Sequence, residues 1–159
     1  MKKCLICSNE FKPFVDFGSM PIANAFSTKK ELENEYFFAM RVGYCDKCNM
    51  VQLLEQPDRE RMFHDTYAFF SSTSNYMINH FEKFANSVSL LQNLDEKSFV
   101  VEIGSNDGVM LQNFVLDNVP CLGVEPSNNV ASVAVERGID VMTEFFDKPL
   151  AEKIANSYQ

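Results

Sequence analysis

Four cysteines carry the most sharply defined chemistry in this chain. They stand in two pairs of equal spacing, Cys4-Leu5-Ile6-Cys7 and Cys45-Asp46-Lys47-Cys48. A two-residue gap lets both thiolates of a turn face one ion. Two such turns supply four sulfurs, close a tetrahedral shell and leave no position for a substrate. The expectation is therefore a structural metal ion held by Cys4, Cys7, Cys45 and Cys48. Zinc is favoured over an iron–sulfur cluster, because the ligands come from two knuckle-like turns in a strand-rich stretch. A redox dithiol is the competing reading of one pair alone, and the second pair weighs against it. Cys121 stands between Pro120 and Leu122 in an apolar run. It reads as a small buried residue without chemistry.

A second constellation lies further along. Glu102-Ile103-Gly104-Ser105-Asn106-Asp107-Gly108 follows the apolar run Phe99-Val100-Val101, which places it at a strand-to-helix turn. Gly104 allows a tight turn, Gly108 lets the helix begin close to the strand, and the loop between them offers backbone N–H groups to a ligand. Glu125 ends the next apolar run, where an acid can accept hydrogen bonds from ribose hydroxyls. A dinucleotide loop would carry small residues between its glycines, whereas Asn106 and Asp107 are polar, and Asp107 would repel a pyrophosphate. A cationic cofactor without phosphate, S-adenosylmethionine (SAM), suits that charge better than NAD.

The elements that must hold these groups fall into three stretches. Residues 1–60 combine turn formers with short apolar runs such as Phe11–Val15 and Phe37–Tyr44, as expected of a small zinc-binding, ribbon-like module. Residues 61–97 hold the hydroxyl-rich aromatic segment Thr66–Ser74, a candidate pocket lining, and then a helix. Met77, Phe81, Phe84, Val88 and Leu91 recur on that helix at three- and four-residue steps and predict one apolar face. Residues 98–159 alternate strand and helix. Strands are expected near 99–103, 120–125 and 139–142. Ser127 should cap a helix that ends at Gly138, and a third helix should begin near Lys148. Such alternation implies a parallel sheet with right-handed crossovers. The fold class is thus α/β, a zinc module and linking helix followed by the first half of a Rossmann-type domain. A three-strand sheet of this size buries little surface, so the domain is expected either to be truncated in this chain or to be completed by a partner.

Bulk properties narrow the partners. The formal net charge is −8, and the largest basic clusters are Lys2-Lys3 and Lys29-Lys30. Nucleic-acid binding needs a basic footprint, so nucleic acid is not an expected partner. The apolar run after Lys3 is broken after three residues, too soon for a signal peptide. No stretch reaches the roughly 18 apolar residues of a membrane span. Paired cysteines with an acidic composition fit a reducing, cytoplasmic setting.

Taken together, the motifs resemble the zinc-containing sugar C-methyltransferases. The two cysteine pairs flank Pro21-Ile22-Ala23-Asn24-Ala25-Phe26, which is similar to that family's Pro-x-Ala-Asn-x-Phe segment. A Tyr-x-aromatic-x-Ser-Ser-x-Ser stretch follows from Tyr67 to Ser74, with His80 beyond it. The Glu102–Gly108 turn and Gly123-Val124-Glu125-Pro126 come last. The resemblance implies a class I, SAM-dependent enzyme. In such an enzyme a base removes the proton beside a keto group of a nucleotide-linked deoxysugar, and the enolate attacks the SAM methyl. It further implies Tyr67 as an active-site tyrosine, with Phe69 where relatives often carry a second one. Tyr67, Ser71, Ser74 and His80 are the implied substrate contacts, although a lone histidine on an apolar helix is also readily structural. Glu102, Gly104, Asn106, Asp107, Gly108 and Glu125 are the implied SAM site, with Phe146 along the adenine. The catalytic base is expected beyond Gln159. Two alternatives stay open. One is a non-enzymatic zinc-containing interaction module with a remnant Rossmann half, and the other is an NAD-dependent sugar-modifying enzyme.

Overall fold

The computed structural model describes residues 2–23 and 26–158, so Asn24 and Ala25 of the Pro21–Phe26 segment lie outside the described residues. The chain divides into two compact units, Met1–Met62 and Phe63–Gln159. The Tyr67–Ser74 segment and the helix after it therefore belong to the same unit as the glycine turn.

The first unit is an antiparallel sheet of β1 (Lys12–Pro21), β2 (Phe37–Tyr44) and β3 (Val51–Leu53), in that order. β1 pairs with β2 from Lys12↔Tyr44 to Pro21↔Phe37, with two register shifts on the way. Its interior is small: Cys4, Phe11 and Cys45 are buried, with Cys7, Cys48 and Leu54 packed against them. Phe11 lies directly on the backbone of Gly43, where a Cβ would sit 2.4 Å from the ring. Many of its other large apolar side chains, Phe14, Phe17 and Phe37 among them, are exposed. A core of three buried residues is too small to hold a 60-residue unit, so a further constraint is needed. An ion pair between Arg41 and Glu55 ties β2 to the segment after β3. A short helix, α1 (Arg59–Met62), closes the unit.

The second unit opens with the Tyr67–Ser74 segment and α2 (Asn75–Gln92). Ser74 caps α2, its hydroxyl accepting the Met77 N–H at 3.4 Å, and Asn93 ends it in the left-handed conformation. Ala85 is the fully buried residue of α2, while Phe84 and Leu91 are exposed. The apolar face is therefore turned from the expected one and runs Met77, Phe81, Ala85, Val88. The small Ala85 side chain joins Leu111 and Phe114 in the core, so packing against the helix that carries those two residues decides the face rather than residue size.

Three parallel strands follow, β4 (Val100–Ile103), β5 (Cys121–Val124) and β6 (Asp140–Met142), with α3 (Leu111–Leu116), α4 (Asn128–Glu136) and α5 (Lys148–Ser157) after each in turn. β4 pairs with β5 from Val100↔Cys121 to Ile103↔Val124, and β5 with β6 from Leu122↔Asp140 to Val124↔Met142. This is the βαβαβα half of a Rossmann-like sheet. One face buries Leu111, Phe114, Cys121 and Ala134, and the other Leu122, Val124, Leu150 and Ile154. Cys121 is buried, as its apolar setting predicts. The helix after Gly108 begins three residues on, at Leu111. Ser127 occupies the cap position of α4 but makes no side-chain capping bond. Its N–H instead donates to Glu125. Asp147 does cap α5, accepting the Leu150 N–H at 2.9 Å. β4 is an edge strand, and Val101 and Ile103 on it are 38% and 58% exposed. No helix is long and apolar enough to cross a membrane, among the described residues.

Candidate functional site

The two cysteine turns are built alike. The Cys4 N–H donates to the Asn9 carbonyl and the Ser8 N–H to the Cys4 carbonyl, at 2.8 and 2.9 Å. Cys45 and Asn49 repeat the pattern with Met50 and Cys45, at 3.0 and 2.8 Å. Ser8 and Asn49 follow their pairs with φ of 59° and 61°, the left-handed step that closes each knuckle. All four ligand atoms lie within 4.8 Å of one another. Cys4 Sγ is 3.5 Å from Cys48 Sγ, and Cys7 Sγ is 3.5 Å from Cys45 Sγ. Tetrahedral Zn–S bonds of about 2.3 Å require sulfurs about 3.8 Å apart, so the cage fits zinc. The Cys7 N–H holds the Cys4 thiol down to about 6, and the Cys48 N–H lowers Cys45. Gln52 donates to Cys4 Sγ at 3.2 Å while its carbonyl accepts the Leu5 N–H at 3.1 Å. It thereby orients the first ligand from β3. Sequence reading missed Gln52, which no spacing rule marks.

The second site lies at the carboxyl ends of β4 and β5. Gly104 N–H donates to Val124 carbonyl at 2.8 Å and Glu125 N–H to Met142 carbonyl at 3.1 Å, so the turn continues the sheet ladder. Gly104 has φ of 74° and nothing within 4 Å of where a Cβ would stand. That is open space of the kind a ligand backbone approach needs. Gly108 has the same φ, but a Cβ there would meet Ile139 Cδ1 at 2.3 Å and Ala134 Cβ at 2.9 Å. Gly108 thus serves close packing against α4.

Glu125 is almost buried, and each carboxylate oxygen accepts one backbone N–H: Asn106 at 3.0 Å and Ser127 at 2.8 Å. Each oxygen keeps a further lone pair for a hydroxyl donor. Glu102 points an oxygen into the interior with no partner among the described residues. Burial, and then the charges of Asp107 and Glu125, push its carboxyl up to about 8. An orphaned carboxyl beside two more carboxylates is suited to a cation. The ammonium and sulfonium groups of SAM fit this donor set, and a pyrophosphate would meet the carboxyl groups of Glu102 and Glu125.

Asp107 departs from the role its sequence position suggests. It is fully buried, its Oδ1 lies 3.7 Å from Arg137 Nη1, and its Oδ2 accepts both the N–H and the hydroxyl of Ser72, at 3.0 and 2.5 Å. Its charge is compensated inside the protein. The side chain of Asn106 is likewise engaged, with Phe69 and Ser71. The Tyr67–Ser72 segment is thus brought to the glycine turn. Tyr67 is half-buried, its ring 5.6 Å from Phe63, and its carbonyl accepts from Asn129 Nδ2 at 2.7 Å. Ser74 is committed to capping α2. His80 is exposed on α2, its ring against Phe81. Phe146 is 41% exposed in the segment between β6 and α5. Arg137 and Asn129 went unmarked in the sequence. The one signal available was that Arg137 is the sole arginine after residue 62, where an interior aspartate would need a cation.

Comparison with known proteins adds two findings. Residues 4–63 match the Methyltransf_13 family, described as "Putative zinc binding domain". Over 158 residues, 98% of this chain, the sequence is 28% identical to C-methyltransferase NovU of Streptomyces niveus, and the match covers 37% of that protein. The chain therefore spans little more than a third of the length of this curated relative.

Proposed function

On the premise of a zinc-containing C-methyltransferase family, which both matches support, we propose that this chain forms the zinc module and the first cofactor-binding half of a SAM-dependent C-methyltransferase. The observation that carries the cofactor is the orphaned Glu102 oxygen beside Glu125, at the carboxyl end of a parallel sheet. Open crevices at that end are where such sheets bind ligands. Glu102 would take the amino group, Glu125 the ribose hydroxyls, and the space over Gly104 the methionine chain. Phe146 would flank the adenine.

When bound, SAM supplies an electrophilic methyl group. The chain's own contribution is to hold that cofactor among carboxylates and to bring Tyr67 to the same turn. The phenol of Tyr67 is a hydrogen-bond donor suited to an enolate oxygen. The substrate class is a nucleotide-linked keto-deoxysugar, with Ser71 as a further contact. A strand paired with the bare edge of β4 would cover Val101 and Ile103. A cytoplasmic location accompanies this reading. The rival NAD reading is opposed by the two carboxyl groups left at the turn, Glu102 and Glu125.

A titration of SAM, with NAD as control, into the zinc-loaded chain tests the cofactor. Heat with SAM and none with NAD supports the proposal, and binding of NAD in place of SAM overturns it.

A further inference from the structure

The Tyr67–Ser72 segment is fastened to the glycine turn and to α4 at almost every second residue. Asn129 Nδ2 donates to the Tyr67 carbonyl at 2.7 Å. Asn106 grips two positions at once, Nδ2 donating to the Phe69 carbonyl at 3.0 Å and Oδ1 accepting the Ser71 N–H at 2.9 Å. Its amide acts as a neighbouring strand would, donating from the nitrogen and accepting at the oxygen. Asp107 Oδ2 accepts the N–H and hydroxyl of Ser72. Arg137 closes the set: Nη1 donates to the Asp107 carbonyl at 2.6 Å and Nη2 to Ser72 Oγ at 2.8 Å. Apart from the Ser72 hydroxyl, every group gripped on the segment is backbone. The Tyr67 ring, packed against Phe63, and the side chains of Phe69 and Ser71 thus take no part in these bonds.

We propose that Asn106, Asp107 and Arg137 form a latch that positions the Tyr67–Ser72 segment against the cofactor turn, with Arg137 as its keystone. The role in methyl transfer rests on the function proposed above, whereas the latch itself does not. Asn106 and Asp107 then shape the site through the segment, and Arg137 is a positioning residue that touches no cofactor. The Asn106 N–H is held by Glu125, so the ribose acid and the segment share one residue. The cation is fixed in kind as well as in place. A planar guanidinium reaches the Asp107 carbonyl and Ser72 Oγ with two nitrogens, whereas a lysine ammonium is a single point.

The test is residue-resolved amide exchange on the zinc-loaded chain, with SAM affinity measured alongside. In the unaltered chain the Ser71 and Ser72 amides should exchange at least about tenfold more slowly than unprotected amides. Arg137→Met should speed Ser72 about tenfold, and Arg137→Lys should recover part of the protection. Asn106→Gly, which tolerates the local φ of 50°, should speed Ser71 while leaving the β5 amides unchanged. The SAM dissociation constant of Arg137→Met should stay within about threefold. Unchanged exchange at Ser71 and Ser72 in folded variants would overturn the latch. Faster exchange with a loss of SAM affinity beyond about tenfold would also overturn it, by making Arg137 part of the cofactor site. If the unaltered chain binds no SAM, the cofactor reading fails and the exchange data decide the latch alone. Should Arg137→Met not fold, Asn106→Gly decides it at Ser71.

Discussion

The two units are stabilised in opposite ways. Residues 1–62 carry nine acidic and nine basic side chains, whereas residues 63–159 carry thirteen acidic and five basic. All of the net negative charge therefore belongs to the unit with the carboxylate-rich turn. The first unit buries Cys4, Phe11 and Cys45 and leaves many of its phenylalanines exposed. The second buries two apolar clusters, one on each face of its sheet. One unit is organised around a metal cage and the other around a core, so each should fail under a different insult.

The largest effect expected is from metal removal. Structural zinc in small domains contributes about 10–16 kcal/mol of apparent binding energy that is also folding energy. Chelation, or Cys45→Ser, should therefore erase the dispersed amide signals of β1 to β3 in a two-dimensional NMR spectrum. Those of β4 to β6 should persist, and loss of both sets together would show that the two units do not fold independently. Next in size is Phe114→Ala, which removes the largest fully buried side chain. It should cost about 3–5 kcal/mol, read as a lower melting temperature for the second unit with zinc content unchanged.

A third expectation concerns pH. The Glu102 carboxyl is raised to about 8 from 4.5 by burial and its two acidic neighbours. Between those values the folded state binds a proton that the unfolded state has released, so stability falls as pH rises through that window. The slope can reach about 1.4 kcal/mol per pH unit for one proton. Glu102→Gln should flatten it in denaturation curves taken from pH 5 to 8, and an unchanged slope would show that the proton lies elsewhere. The smallest effect is Asp147→Ala, which removes the cap of α5 and should cost about 1 kcal/mol. Calorimetry on the second unit would register it, and no shift would mean the cap is idle.

Much of this arrangement was legible because it rests on local chemistry. The CxxC spacing makes a turn that can present two sulfurs to one point, and two such turns give the cage. Phe37–Tyr44 appears as the strand its apolar run predicts. What escaped is set by tertiary packing. Phe84 and Leu91 carry the periodicity of a core face, yet Ala85 is the buried residue, because close approach to α3 rewards a small side chain. Asp107 reads from sequence as a charge offered to a ligand and instead meets an arginine thirty residues away. Ser127 stands at a cap position, but the nearby Glu125 carboxylate takes its N–H. In the first two cases a partner distant in sequence overrides the local rule, and in the third a carboxylate two residues away binds the cap residue's N–H.

The most direct measurement is chemical-shift mapping of SAM onto the isotope-labelled, zinc-loaded chain, which detects weak binding as well as tight. Shifts are expected at Glu102 to Gly108, Glu125 to Ser127 and Phe146, with the cysteine turns unmoved. Shifts confined to the zinc unit, or none at millimolar SAM, would contradict binding at the glycine turn.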